Sequence, residues 1–138
     1  MKIELEEDYV PSENEEYMNP KQLEYFKRKL VAWKQELINE AQETILHLKE
    51  DKLNEPDIAD RAMAEADAAF ELRSRGRYRK LITKIEHALQ RIDANNYGYC
   101  EETGEPIGLK RLEARPVATL CIEAQEKHEN FERQHSEE

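Results

Sequence analysis

The sequence predicts a mainly α protein: a long antiparallel coiled-coil hairpin, a small globular head built of turns, and a C-terminal helix. Three observations carry this. Apolar residues recur at helical spacing over two long stretches, about residues 20–52 and 58–92. A proline-containing break, Leu53-Asn54-Glu55-Pro56-Asp57, lies between them. Glycines and prolines then cluster over residues 96–125, where no long periodicity continues. The expected organisation is an acidic segment 1–18 docking on the head, a hairpin 19–94 with its tip at 53–62, a knuckle 95–120, and a helix 121–138.

Composition agrees with a thin apolar seam under much solvated surface. Charged residues make up 38% of the 138 residues and the mean hydropathy is -0.97. The net charge of -10 disfavours unaided binding to nucleic acid. No run of about 18 apolar residues is present, so no membrane span is expected. The N-terminus lacks an apolar signal core, and cytoplasmic location is the expectation.

Residues 1–18 carry Glu4, Glu6, Glu7, Asp8, Glu13, Glu15 and Glu16 against Lys2. That composition fits a loose acidic arm. Ile3, Leu5, Tyr9, Val10 and Tyr17 offer the means to dock it on the head. Asn19-Pro20 reads as a helix start, with Asn as cap and Pro at the first helical position. The first stripe runs Leu23, Phe26, Leu30, Trp33, Leu37, Ala41, Ile45 and Leu48, with two successive steps of four that locally unwind a supercoil. A helix to Lys52 spans roughly 50 Å.

The second helix starts at Asp57 or Asp60, both competent caps. Its expected stripe is Ile58, Ala62, Ala66, Ala69, Phe70, Tyr78, Leu81, Ile85, Ala88, Leu89 and Ile92. Asn95-Asn96-Tyr97-Gly98 ends it, with Gly98 or an Asn in the left-handed conformation. Alanines crowd its start, which gives either a thin arm or simply high helix propensity. Six basic residues, Arg73, Arg75, Arg77, Arg79, Lys80 and Lys84, follow with no acid between them. They read as a solvated basic face, or as a surface for an acidic partner or a phosphate ligand.

Cys100-Glu101-Glu102-Thr103 and Cys121-Ile122-Glu123-Ala124 have the framework of a four-ligand zinc knuckle. Seventeen residues separate Thr103 from Cys121, a normal spacing between two hooks. Ala124 cannot bind a metal and Thr103 is a poor ligand, so a degenerate, metal-free zinc-finger-like knuckle is expected. Glu101, Glu102, Glu123 or His128 could in principle stand in as ligands. Packing of Tyr97, Tyr99, Ile107, Leu109, Leu112, Val117 and Leu120 is expected to hold the knuckle instead. The two cysteines then become small buried hydrophobes close together, or a redox-sensitive pair.

Tyr97-Gly98-Tyr99-Cys100, Glu105-Pro106-Ile107-Gly108, Arg111-Leu112-Glu113-Ala114-Arg115-Pro116 and Leu120-Cys121-Ile122 resemble the DksA/TraR zinc-finger proteins. The resemblance extends to Glu16-Tyr17-Met18-Asn19, Pro56-Asp57, Asp60-Arg61-Ala62 and Glu71-Leu72-Arg73. The two replaced cysteines make the chain similar to the cysteine-poor, zinc-independent branch of that family. The resemblance implies a monomeric, non-enzymatic regulator that binds bacterial RNA polymerase through its secondary channel, without binding DNA. It implies that, with the alarmone ppGpp, the protein modulates open-complex stability at stable-RNA and biosynthetic promoters. It assigns the regulatory tip to Asp57, Asp60 and Ala62, and ppGpp- and polymerase-facing contacts to Arg77, Leu81, Lys84 and Arg115. Gln125 stands where the family often has a lysine, which removes one phosphate contact and implies weaker alarmone affinity.

Two other function classes compete. A transcript-cleavage factor also carries paired carboxylates on a coiled coil, but alongside a β-rich domain that nothing here resembles. A plain coiled-coil scaffold makes tip substitutions silent. His47, His87, His128 and His135 form no hydrolytic constellation with the two cysteines.

Overall fold

A computed structural model describes residues 3–53 and 58–136, with backbone alone for 47–53, 58–60 and 136. Four helices follow one another: α1 (Pro20–Leu53), α2 (Ile58–Asp93), α3 (Leu109–Ala114) and α4 (Ile122–Ser136). Among the described residues the only extended pairing is an isolated antiparallel bridge between Tyr99 and Pro106. The fold is mainly α, a coiled-coil hairpin with a small head. By compactness the chain divides into Met1–Leu30 with Glu86–Glu138, and Val31–Ile85.

The start of α1 is fixed reciprocally. Asn19 Oδ1 accepts the Gln22 N–H at 3.0 Å, and the Gln22 side chain accepts the Met18 N–H at 2.8 Å. This satisfies orphan donors of the first turn as a capping box does. Gln22 is fully buried, and its amide also donates to the Ser12 carbonyl.

In the hairpin unit, Leu37 on α1 is buried, with Trp33, Ala41 and Ile45 half-buried. On α2, Ala64, Asp67, Glu71, Ser74, Tyr78, Leu81 and Ile85 turn away from solvent, with Ser74 and Ile85 buried. These positions follow one another at alternating steps of three and four. The expected stripe is therefore wrong over the first half of α2: Ala62, Ala66, Ala69 and Phe70 are exposed. Register explains it. A helix turns by a fixed angle per residue, so the apolar side chains of Tyr78, Leu81 and Ile85 dictate which side faces α1 further up. That side holds Asp67, Glu71 and Ser74, whatever their polarity.

The head unit has its own core. Phe26 and Leu30 from α1 are fully buried, as are Tyr97 and Leu112 to within about 1%. Ala88 and Ile92 from α2, and Ile107, Val117 and Ala118 from the knuckle, complete it. Phe26 meets Tyr25 edge-on at 5.2 Å and Tyr97 at 5.7 Å. The N-terminal segment docks here. Ile3, Leu5, Tyr9 and Tyr17 are half-buried, whereas Val10 is exposed, contrary to expectation. Tyr9 packs edge-on against Tyr25, and Arg28 donates to the Ile3 carbonyl.

After Asp93 the chain reverses through Asn95, which takes the left-handed conformation at φ 60. Gly98 sits at φ 90, and an added Cβ there would stand 2.8 Å from Met18 Sδ, so the position demands glycine twice over. The sequence shows no sign of α3, which is only 6 residues long. The last helix begins at Ile122, not in the Val117–Leu120 run, whose Val117 and Ala118 are buried in turns.

Candidate functional site

Two groups of residues concern function, one in each unit. The first is the exposed side of α2. Met63, Phe70, Arg77 and Lys84 are spaced by seven and all are exposed. Residues seven apart share a helix face. This face is thus apolar toward the start of α2 and cationic further on. Phe70 is 52% and Met63 63% exposed, so both present apolar surface to solvent. Arg73 and Lys80, three or four residues from Arg77 and Lys84, widen the cationic band, while Arg75 and Arg79 project on another side of the helix; all four are exposed. Arg75 pairs with Glu71, and the Arg77 guanidinium lies 5.4 Å from the centre of the Tyr78 ring. Leu81, between Arg77 and Lys84, is half-buried at the edge of the seam.

Among the tip residues, Ala62 is exposed and Asp60 lies in the first turn of α2. Asp57 lies outside the described residues. Arg115 belongs to the head, at the C-cap of α3, where it is exposed. Gln125 is half-buried on α4, its amide hydrogen-bonded to Glu129.

The second group is the knuckle. A hook is closed by three backbone bonds: Cys100 N–H to Glu105 O, Gly104 N–H to Cys100 O, and Ile107 N–H to Gly98 O. Cys100, Cys121 and Ala124 form one buried cluster, with Leu120 against it. Thr103 Oγ1 is 3.9 Å from Cys121 Sγ. Burial pushes the Cys100 thiol up, but hydrogen bonds to its sulfur outweigh this. They come from the Thr103 hydroxyl and from the backbone N–H groups of Cys121, Thr103 and Glu102, and they hold the thiol at about 6.

A tetrahedral zinc site needs four donors. The structure brings the four hook positions together, but Ala124 contributes a methyl group and Thr103 a hydroxyl already engaged with sulfur. Among the described residues no group of three or more His, Cys, Asp and Glu side chains could hold a metal. The residues present do not fit zinc. Of the stand-in carboxylates, Glu101 pairs with His87 and Glu102 with His128.

Side-chain bonds to the main chain also hold the knuckle, a role the sequence does not announce for these residues. The Tyr17 hydroxyl donates to Gly98 O at 2.7 Å and accepts the Gly108 N–H at 3.0 Å. Arg91 donates to Asn96 O and Tyr99 O, Tyr97 to Pro116 O, and Arg111 to Leu120 O. Burial raises the Tyr97 hydroxyl far above the ordinary phenol range, so it stays a donor. The available sequence signal was Tyr17 and Arg91 themselves, a conspicuous aromatic in an acidic arm and a cation beside Ile92 at a helix end.

The His128–Glu102 pair ties the hook to α4 and gives the head a pH dependence. Its hydrogen bond to Glu102, then the Glu102 charge, raises the His128 pKa above 6.5, and Glu132 adds to this. A raised folded-state pKa stabilises fully below the unfolded value and is lost as pH rises through the folded one. The difference in melting temperature between the wild type and His128→Gln should therefore shrink as pH goes from about 6 to about 9. A pH-independent difference would show that the pair contributes no charge interaction.

These features define a helical-hairpin protein whose head has zinc-finger topology without a full set of zinc ligands. Residues 22–92 match the family pattern described as DnaK suppressor protein DksA, N-terminal domain. Residues 95–130 match the prokaryotic dksA/traR C4-type zinc finger. The chain belongs to the DksA/TraR family. It is 61% identical over 128 residues to the RNA polymerase-binding transcription factor DksA of Caulobacter vibrioides, covering 93% of this chain and 90% of that one. With the Escherichia coli K12 protein of the same name it shares 45% over 128 residues, covering 93% and 85%. The solved structure of transcription factor DksA2 from Pseudomonas aeruginosa is similar at a TM-score of 0.77 and 43% identity, over 85% of this chain and 90% of that one.

Proposed function

We propose that this chain is a cytoplasmic transcription regulator that binds RNA polymerase as a monomer, enters the secondary channel with its hairpin, and acts without chemistry of its own. One observation carries the reading: in a chain of net charge -10, the cations gather on an exposed face of α2 whose forward end is apolar. Such a face suits an acidic, partly apolar protein surface, and its Arg and Lys groups suit phosphates. The name of the relatives, RNA polymerase-binding transcription factor DksA, supports RNA polymerase as that partner. In this reading ppGpp lies at the interface with polymerase, contacted by Arg77, Leu81, Lys84 and Arg115. Gln125 lacks the charge to add a phosphate contact. Asp57, Asp60 and Ala62 form the probe that alters open-complex lifetime near the polymerase active site. Zinc plays no part, because two of the four hook positions, Thr103 and Ala124, lack thiol donors.

The test combines polymerase capture with promoter-complex lifetimes, with and without ppGpp. Asp57→Asn and Asp60→Asn should keep polymerase affinity and the melting temperature but lose the effect on lifetime. A chelator should change none of these in the wild type. If regulation survives both substitutions, the tip has another role.

A further inference from the structure

Two sulfurs remain in the knuckle, and the fold buries them together. Cys100 is 3% and Cys121 8% exposed, in one cluster with the methyl group of Ala124. They come from separate segments, the hook after Gly98 and the residue preceding α4. Thr103 links them: its hydroxyl bonds the Cys100 sulfur and stands 3.9 Å from Cys121 Sγ. Backbone N–H groups of Glu102, Thr103 and Cys121 also point at the Cys100 sulfur. Converging amides of this kind make a concavity that accepts negative charge. Neither cysteine is in a disulfide.

This donor set is wrong for zinc and right for something else. No third His, Cys, Asp or Glu joins the sulfurs among the described residues. The imidazoles of His87 and His128 are bonded to Glu101 and Glu102. Soft thiolates suit Cu(I), zinc and iron–sulfur clusters; the latter two take four protein ligands, whereas a d10 monovalent cation is satisfied by two thiolates. Charge favours the same choice: two thiolates and one monovalent cation leave a single negative charge, which the three N–H dipoles and the Thr103 hydroxyl face. We propose that Cys100 and Cys121 form a two-coordinate thiolate site for a soft monovalent cation, with Cu(I) as its probe. Binding exchanges the thiol protons for the cation, with no change of oxidation state.

The experiment uses the full chain, reduced and anaerobic, with Cu(I) shared against a chromophoric chelator. The wild type should withhold one equivalent. Cys100→Ser and Cys121→Ser should each weaken retention by at least ~10-fold, the cost of disturbing even an outer-shell partner of a metal ligand. Circular dichroism melts establish that the variants are folded. X-ray absorption on the wild type, which needs no variant, should find two sulfur neighbours and no nitrogen or oxygen. The proposal is overturned by no retention in the wild type, by equal retention in the double serine variant, or by a mixed donor shell. Stoichiometric zinc held against the chelator would also overturn it. Polymerase capture by the copper-free chain is scored separately, so failure of this site and failure of the polymerase reading are distinguishable.

Discussion

Phe26→Ala should cost about 3–5 kcal/mol, the range for removing a fully buried aromatic ring. Its ring has no exposed surface and touches two other rings, Tyr25 from its own helix and Tyr97 from the knuckle. Tyr97 is not free to collapse into the space, because its hydroxyl is pinned to the Pro116 carbonyl at 2.7 Å. Cavity and lost transfer energy therefore add. Domains of this kind are stable by about 5–15 kcal/mol in all, so the loss is a large part of the total and corresponds to roughly 10–20 °C in melting temperature. Val31 is the control. It is 50% exposed, and Val31→Ala should stay within about 0.5 kcal/mol of the wild type. Thermal melts followed in the far and near ultraviolet decide the matter. A Phe26→Ala protein that melts with the wild type would show that the three rings are not the core of the head.

The sequence disclosed the parts of this fold that depend on repetition. The first helix was legible end to end, from the Asn19 cap to its observed close at Leu53, because one apolar face and one cap specify it. The second helix was legible in extent but not in orientation over its first half. Counting Phe70 and the alanines as core overlooked that Tyr78, Leu81 and Ile85 already fix the rotation of the whole helix. The same correction brings Phe70 and Met63 to the surface in line with Arg77 and Lys84, so the candidate face is longer than the basic run alone suggested. The knuckle was legible as a gap in a ligand pattern, since Thr103 and Ala124 are conspicuous where thiols belong. The packing that holds it was legible in Tyr97, Ile107, Leu112 and Val117, which are buried, but the polar ties were not. Side chains that bond main-chain carbonyls leave no periodic mark, and their partners lie as far away as the 81 positions between Tyr17 and Gly98.

Arg91 is the sharpest case. It is 9% exposed, a cation sunk at the end of α2. One terminal nitrogen donates to Asn96 O at 2.9 Å and Tyr99 O at 2.6 Å, and the other stands 3.8 Å from the Glu101 carboxylate. Its own carbonyl accepts the Asn96 and Tyr97 N–H groups. The residue thus grips both sides of the turn leading into the hook that carries Cys100. Burying a guanidinium is costly unless every donor finds a partner, and here the partners are the carbonyls of the segment to be held. Hydrogen bonds from charged donors contribute about 1.5–3 kcal/mol each. Arg91→Met keeps the length of the side chain and abandons those carbonyls, and should cost about 2–4 kcal/mol. Arg91→Lys should fall between, because a single ammonium cannot reproduce the planar fork. The decisive readout is local: the 3% exposed Cys100 should react faster with a thiol reagent in Arg91→Met than in the wild type, under conditions where both remain folded. Unchanged labelling would mean that the hook stands without Arg91. Added zinc should not restore protection, because the hook lacks the donors to hold it.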